Sequence, residues 1–308
     1  MGSNDSFHAM RRGLSEGQSE ALLRNVWLAG GGDQGGNEAV HALLRGEMKV
    51  ILQDAIVLLV DATGRCIPLP TIKGEHVDAN RDFCLVQPAI DYAAILGRLQ
   101  QFFAPGMKFV SAEEFAKQAT ALITRIRETK QVANLLKGVC LPIVLPQITV
   151  ANYGQTLEET FLTAAERAYQ AQYPDRTFYN YRAGTLAGQV QIVEESRHQR
   201  LVEKMAKGPV VLIHFPNPMQ GFSIPADRKM ISALPEGFML AGALDTATSV
   251  VAHTVTLARN YHTPGLDCAA NSWRGLSLCF KASDDGLGFR YRRLIADDDC
   301  SGGLSFVG

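Results

Sequence analysis

Apolar residues in the first half of the chain recur at intervals of three and four, which is the spacing of amphipathic helices. Ser111 and Glu114 form a capping box, in which the two side chains satisfy the first free N–H groups of a helix. Thr156 and Glu159 repeat this pattern. The sequence therefore predicts three helices, over residues 88–103, 111–136 and 156–174.

Short apolar runs and alternating apolar and polar residues dominate the second half, and both are typical of β-strands. Residues 284–286, Asp-Asp-Gly, separate two such runs and have the composition of a tight hairpin turn. The predicted strands cover residues 189–193, 210–213, 238–244, 250–258, 276–282, 288–294 and 304–307, with one amphipathic helix at 196–207.

An earlier stretch also predicts β-structure. Residues 48–60 are rich in Val, Ile and Leu, and residues 61–64 supply turn chemistry before a second apolar run at 66–69. We therefore expect a β-hairpin. Pro68 and Pro70 lack a backbone N–H and place its second arm at a sheet edge.

These elements together predict an α+β protein with a helical N-terminal half and an antiparallel β C-terminal half. Residues 1–110 form an N-terminal extension in this prediction, a hairpin plus a helix that we interpret as a cap or an autoinhibitory segment. Residues 111–308 form the α+β domain.

The composition excludes several classes of protein. The chain has 308 residues, of which 46% are hydrophobic, and its 30 Lys and Arg against 31 Asp and Glu give a net charge of −1. Intrinsic disorder and nucleic-acid binding are therefore not expected. The apolar runs are too short to cross a bilayer, and no signal-peptide core is visible. We expect a protein without membrane contact, cytoplasmic or secreted without a classical signal peptide.

The six cysteines lie singly along the chain, without a C-x-x-C pair. This spacing argues against a zinc ribbon or a disulfide framework, and we predict neither a metal nor a cofactor. The aspartates at residues 297–299 lack the spaced ligands of a calcium loop. Arg290, Arg292 and Arg293 could contact a polyanion, but the neutral net charge favours an ordinary surface strand.

Three segments in the last third of the chain occur in a specific order. They are Ala-Lys-Gly-Pro-Val-Val-Leu at residues 206–212, Ala-His-Thr-Val-Thr-Leu at 252–257 and Ala-Asn-Ser-Trp-Arg-Gly at 270–275. This order resembles the right-hand domain of papain-like cysteine peptidases, over residues 187–282. Arg274 interrupts the Trp-Gly pair of that family.

The resemblance implies a papain-like fold and a Cys-His-Asn site that hydrolyses or transfers the acyl group of a peptide or amide. His253 is then the general acid and base, and Asn271 orients its ring. Cys140, which follows Gly138 closely, is the expected nucleophile, and Cys84 competes for that role. Gln131 is the candidate side chain for the oxyanion hole.

A second interpretation needs no catalysis. A single cysteine in an apolar stretch is commonly a small core residue, and a histidine in such a stretch commonly has a structural partner. The chain would then be a protein-interaction scaffold or a catalytically dead papain-like relative. The expected partner is a protein or peptide in both interpretations, and the sequence does not predict an oligomeric state.

Overall fold

The computed structural model describes residues 15–29, 31–45, 47, 57–72 and 74–308. The chain divides into two compact units, residues 1–55 and residues 56–308. In the first unit, helix α1 (Glu16–Ala29) contacts helix α2 (Gly36–Leu44). The boundary that we predict at residue 110 falls inside the second unit and stays a prediction.

Two of the predicted helices lie in the N-terminal part of the second unit. Helix α3 (Tyr92–Phe102) begins after Asp91, whose carboxylate accepts the Ala94 N–H at 3.0 Å. Helix α4 (Ala112–Glu128) begins at the predicted cap, because the Ser111 hydroxyl accepts the Glu114 N–H at 3.1 Å. It ends earlier than expected, and the chain continues through a 3₁₀ turn.

The third predicted helix begins before its predicted cap. It comprises α5 (Tyr153–Thr156), a π-helical segment (Leu157–Leu162) and α6 (Thr163–Gln172). Asn152 caps it by accepting the Gln155 N–H at 3.1 Å, so Thr156 lies inside the helix and its predicted capping role is wrong.

Within the described part of the chain, nine strands form one sheet. They are β1 (Leu141–Leu145), β2 (Thr177–Asn180), β3 (Val190–Ile192), β4 (Val210–Gln220), β5 (Phe238–Leu240), β6 (Gly265–Trp273), β7 (Leu276–Ala282), β8 (Gly286–Arg292) and β9 (Cys300–Val307). The order is β1-β4-β9-β6-β7-β8-β2, while β3 pairs with β6 and β5 with β9. Two neighbouring pairs, β6 with β9 and β2 with β8, are parallel.

The mixed α+β class is confirmed, but helices and strands do not separate into two halves. Strand β1 lies in the first half of the chain. The second half contains α7 (Gln199–Lys207), α8 (Ile224–Met230), α9 (Ala243–Ala252) and α10 (Thr254–Leu257).

The strand predicted at residues 250–258 is wrong, because this segment belongs to α9 and α10. Every residue of α9 is buried, and the helix contacts α3, α6 and β1. A helix buried all round has no polar face to reveal its period, and its Val and Thr residues favour a strand locally. Tertiary packing therefore overrides the local preference.

The predicted early hairpin is described in part. Val60 and Cys66 form an antiparallel bridge across the turn. One carboxylate oxygen of Asp61 accepts the N–H groups of Thr63 and Arg65, at 2.8 and 3.0 Å, which fixes the turn. The rest of the first arm, residues 48–56, lies outside the described residues.

Candidate functional site

Cys140 directly precedes strand β1, and its backbone is held by Gln87. The Cys140 N–H donates to Gln87 Oε1 at 2.7 Å, and Gln87 Nε2 donates to the Cys140 carbonyl at 3.0 Å. The side chain is partly buried, and burial raises the pKa of the thiol to about 12. The thiol is therefore protonated at neutral pH. The backbone N–H of Cys140 already donates to Gln87, so it is not free to bind an oxyanion.

His253 follows the last turn of α9, and its Nε2 lies 3.2 Å from the Pro142 carbonyl oxygen of β1. The structure thus brings His253 to the strand that Cys140 precedes. Burial lowers the pKa of His253 to about 4, so the ring is neutral at neutral pH. A thiolate and imidazolium pair needs the opposite shift at both groups.

Asn271 lies in strand β6 with partners other than His253. Its Oδ1 accepts the Tyr153 hydroxyl at 3.0 Å and the Ala243 N–H at 2.7 Å. Its buried Nδ2 has no hydrogen-bond partner among the described residues. Because residues 250–258 are helical, His253 does not lie on a strand beside β6, and the predicted His-Asn contact is absent between these two described residues.

Gln131 is exposed, and its backbone carbonyl accepts the Leu59 N–H at 2.9 Å. The glutamine that contacts Cys140 is Gln87. The structure therefore brings Cys140 and His253 to one strand, while Asn271 and Gln131 have separate surroundings. Whether these four residues act in catalysis stays a prediction.

A buried polar network surrounds the start of α9. The Tyr153 hydroxyl lies 3.1 Å from His198 Nε2, and it accepts the Leu244 N–H at 3.4 Å. Asp245 accepts the Gly242 N–H at 2.8 Å and the Ser305 hydroxyl at 2.5 Å. The first free N–H groups of α9 thus find side-chain partners in the core, which a buried helix end requires. We interpret the network as structural.

A polar cleft of about 600 Å³ lies elsewhere on the second unit. It is formed by the turn at residues 61–65, the loop at 78–85 and an irregularity in β4, where the pairing with β9 shifts between Phe215 and Met219. Its lining is Asp61, Thr63, Gly64, Arg65, Asp78, Ala79, Asn80, Arg81, Phe83, Cys84, Leu85, Gly138, Asn217 and Gln220.

Hydrogen bonds to backbone carbonyls hold the cleft in shape. Arg65 Nε donates to the Gln220 carbonyl at 3.0 Å, and another of its nitrogens donates to the Val77 carbonyl at 2.7 Å. Gln220 Nε2 lies 3.1 Å from the Asn80 carbonyl oxygen and 2.9 Å from that of Asp298. These side chains tie the loop to the sheet, so the lining is preorganised.

Gly64 allows two loops to approach closely in the cleft. Its φ is +90°, and an added Cβ would lie 2.6 Å from the Gly138 nitrogen. A side chain at residue 64 would therefore separate the turn from the segment that leads to Cys140.

Four groups of the lining remain available to a ligand. The side chains of Asp78, Arg81 and Asn217 form no hydrogen bond or ion pair with any described residue. Cys84 also opens into the cleft and is exposed. Cys84 is a candidate from the sequence, whereas Asp78, Arg81 and Asn217 are not among the residues that the sequence predicts. Pro216 and Pro218 inside a strand are the signal that could have located Asn217, since proline in a strand marks a bulge.

One cluster among the described residues has the geometry for a metal ion. Single ligand atoms of Asp297, Asp299 and Cys300 lie within 4.8 Å of one another. Lys281 already donates to Asp299 at 2.6 Å, and Arg292 lies 3.7 Å from Asp297. These cations neutralise the carboxylates, so we assign no metal to the cluster.

No protein-family model, curated protein or solved structure matches this chain. Among the described helices, none is both long and apolar enough to cross a membrane.

Proposed function

We propose that this chain is a binding protein whose polar cleft takes a small zwitterionic molecule, such as a free amino acid. The observation that carries the proposal is that Asp78, Arg81 and Asn217 line one cleft and that their side chains form no hydrogen bond or close ion pair with the described residues. Unpaired polar groups that converge in a preorganised cleft are typical of a ligand site.

The charges of the cleft favour this ligand class. Asp61 and Asp78 balance Arg65 and Arg81, so the lining has no net charge to attract a simple anion or cation. Arg81 can pair with a carboxylate through two N–H groups, and Asp78 can accept from an ammonium. Asn217 offers both a donor and an acceptor to either group.

The proposal can be tested by thermal unfolding of the full chain with each of the twenty free amino acids, followed by calorimetric titration of any that stabilise it. We expect at least one to bind, with affinity reduced about tenfold or more in Asp78→Asn and in Arg81→Ala. Asp82→Asn is the matched control, because Asp82 lies on the same loop but not in the lining. Binding that the two cleft variants leave unchanged would contradict the proposal.

Thiol-dependent acyl transfer, the activity implied by the papain-like resemblance, is the second candidate. The observation that favours it is the exposure of Cys84 in the cleft; the other five cysteines are buried or partly buried. The cleft lining, all of it described, contains no histidine. Arg65 and Arg81 are therefore the groups that would stabilise a thiolate there.

The two candidates differ in how the labelling of Cys84 depends on pH. An activated thiol reacts with iodoacetamide well below about pH 8.5, and Arg81→Ala should then move the rate profile to higher pH. If the alkylation rate of Cys84 instead rises only near about pH 8.5, and Arg81→Ala does not change this profile, binding without thiol chemistry is favoured. His253→Ala tests the pairing of His253 with a thiol that the papain-like resemblance implies. Labelling is scored separately at Cys140 and Cys84, and we expect no effect of this variant at Cys84.

A further inference from the structure

A second groove, of about 480 Å³, lies beside strands β7 and β8 and is independent of the cleft. Five basic residues line it, accompanied by one aspartate, two tyrosines and two cysteines. The basic residues are Arg182, Lys281, Arg290, Arg292 and Arg293. Such a volume is within the range of small-ligand pockets.

Two of these cations are already paired. Arg292 Nε donates to the buried carboxylate of Asp267 at 3.1 Å, and its guanidinium lies 3.7 Å from Asp297. Lys281 donates to Asp299 at 2.6 Å. The acidic groups near the groove, Asp267, Asp297 and Asp299, are thereby each paired with Arg292 or Lys281.

Three arginines remain without a carboxylate partner among the described residues: Arg182, Arg290 and Arg293. The Nε of Arg182 is buried and has no hydrogen-bond partner within that part of the chain. Arg290 and Arg293 are exposed at the groove. The groove thus has a local surplus of positive charge that the neutral net charge of the chain conceals.

The cysteines of the groove do not cancel this surplus. Cys279, which lies opposite Arg290 in the sheet, is buried, and burial raises the pKa of its thiol to about 12. Burial also raises the pKa of Cys300. Both thiols are therefore neutral at physiological pH.

Two exposed aromatic rings flank the arginines. Tyr181 is 55% exposed and stacks by one face on Tyr179, with ring centroids 5.7 Å apart and an interplanar angle of 17°. The Tyr291 ring is contacted by the Arg182 guanidinium, 5.5 Å from its centroid. Tyr179 therefore holds the Tyr181 ring in place, while more than half of the Tyr181 side chain is exposed and can contact a planar group.

We propose that this groove binds a nucleoside monophosphate, with the phosphate between Arg290 and Arg293 and the base stacked on Tyr181. Guanidinium groups match the oxygens of a phosphate in pairs, and a planar base gains a stacking surface from a fixed tyrosine. A phosphate alone would use only the first of these features.

Calorimetric titration of the full chain with AMP, CMP, GMP and UMP tests the proposal, with the nucleosides and inorganic phosphate as partial ligands. We expect at least one monophosphate to bind about tenfold more tightly than its nucleoside or inorganic phosphate. Arg290→Ala, Arg293→Ala and Tyr181→Ala should each weaken binding about tenfold. Arg127→Ala, an exposed arginine on α4, should leave binding unchanged.

Three results would overturn the proposal. They are no binding of any monophosphate at millimolar concentration, equal binding of inorganic phosphate, and binding that the groove variants do not weaken. Circular dichroism of each variant verifies folding, and Arg290→Lys provides a milder change that keeps the charge. Because none of these residues lines the polar cleft, failure here leaves the proposed function intact.

Discussion

Asp227, on α8, is a fully buried carboxyl group whose two oxygens have no hydrogen-bond partner among the described residues. It packs against β9, since a Cβ added to Gly302 would lie 2.4 Å from the carboxyl group. Burial raises the pKa of Asp227 well above its ordinary value, and the nearby Asp267 charge acts in the same direction. The folded protein therefore holds a proton there.

The consequence is a loss of stability as the pH rises. Above pH 3.8, the ordinary pKa of the group, the unfolded chain releases this proton while the folded chain retains it. Each pH unit then lowers the free energy of unfolding by about 1.4 kcal/mol, until the pH reaches the raised pKa of the folded state. Asparagine carries no such proton, so Asp227→Asn should gain stability relative to the wild type as the pH rises above about 4.5. The gain approaches about 1.4 kcal/mol per pH unit as long as the pH stays below the raised pKa of Asp227.

Urea unfolding of both proteins at several pH values measures this difference. Other titrating groups, including Asp267, are present in both proteins and largely cancel in the comparison. Asp284→Asn, at an exposed position of the β7–β8 turn, is the control and should show no such pH dependence. A constant difference between Asp227→Asn and wild type, or one that falls with pH, would refute the assignment of a buried proton.

Two further predictions concern packing around α5 and α3. Tyr153→Phe removes a hydroxyl that bonds inside the core, so urea unfolding should show a loss of about 1–3 kcal/mol, against less than about 0.5 kcal/mol for Tyr261→Phe, which is 49% exposed. Gly154→Ala would place a Cβ 1.9 Å from the Leu186 carbonyl oxygen and should cost about 3 kcal/mol or more. A Cβ added to Gly97 on α3 meets nothing within 4 Å, so Gly97→Ala should raise the free energy of unfolding by about 0.5–1 kcal/mol. A larger loss of stability in Gly97→Ala than in Gly154→Ala would contradict this packing.

Local signals were enough to predict the elements that have a polar face. Helices α3 and α4 expose one side, and β7 and β8 are joined by a polar hairpin turn, so period and caps are visible in the sequence. Helix α9 has no exposed side, and the strand predicted at residues 250–258 includes the end of this buried helix.

The cleft could not be predicted from spacing. Its available groups come from separated segments, around residues 78–84 and at Asn217, and only the tertiary structure brings them together. Likewise, Asn271 meets Tyr153 rather than His253 because of how β6 and α5 pack, which no local pattern encodes. The bulge signal of Pro216 and Pro218 is the one local hint that points to the cleft.

The most direct test of the proposed function uses Cys84 as a reporter of the cleft. The rate of its alkylation by iodoacetamide is measured by peptide mapping, with and without the free amino acids that stabilise the chain. We expect a bound zwitterion to slow labelling of Cys84 in the wild type, because the ligand covers a thiol that otherwise faces solvent. The same ligand should have little effect on labelling in Arg81→Ala, because this variant binds it weakly. An unchanged rate of Cys84 labelling at saturating ligand would contradict the claim that this cleft is the binding site.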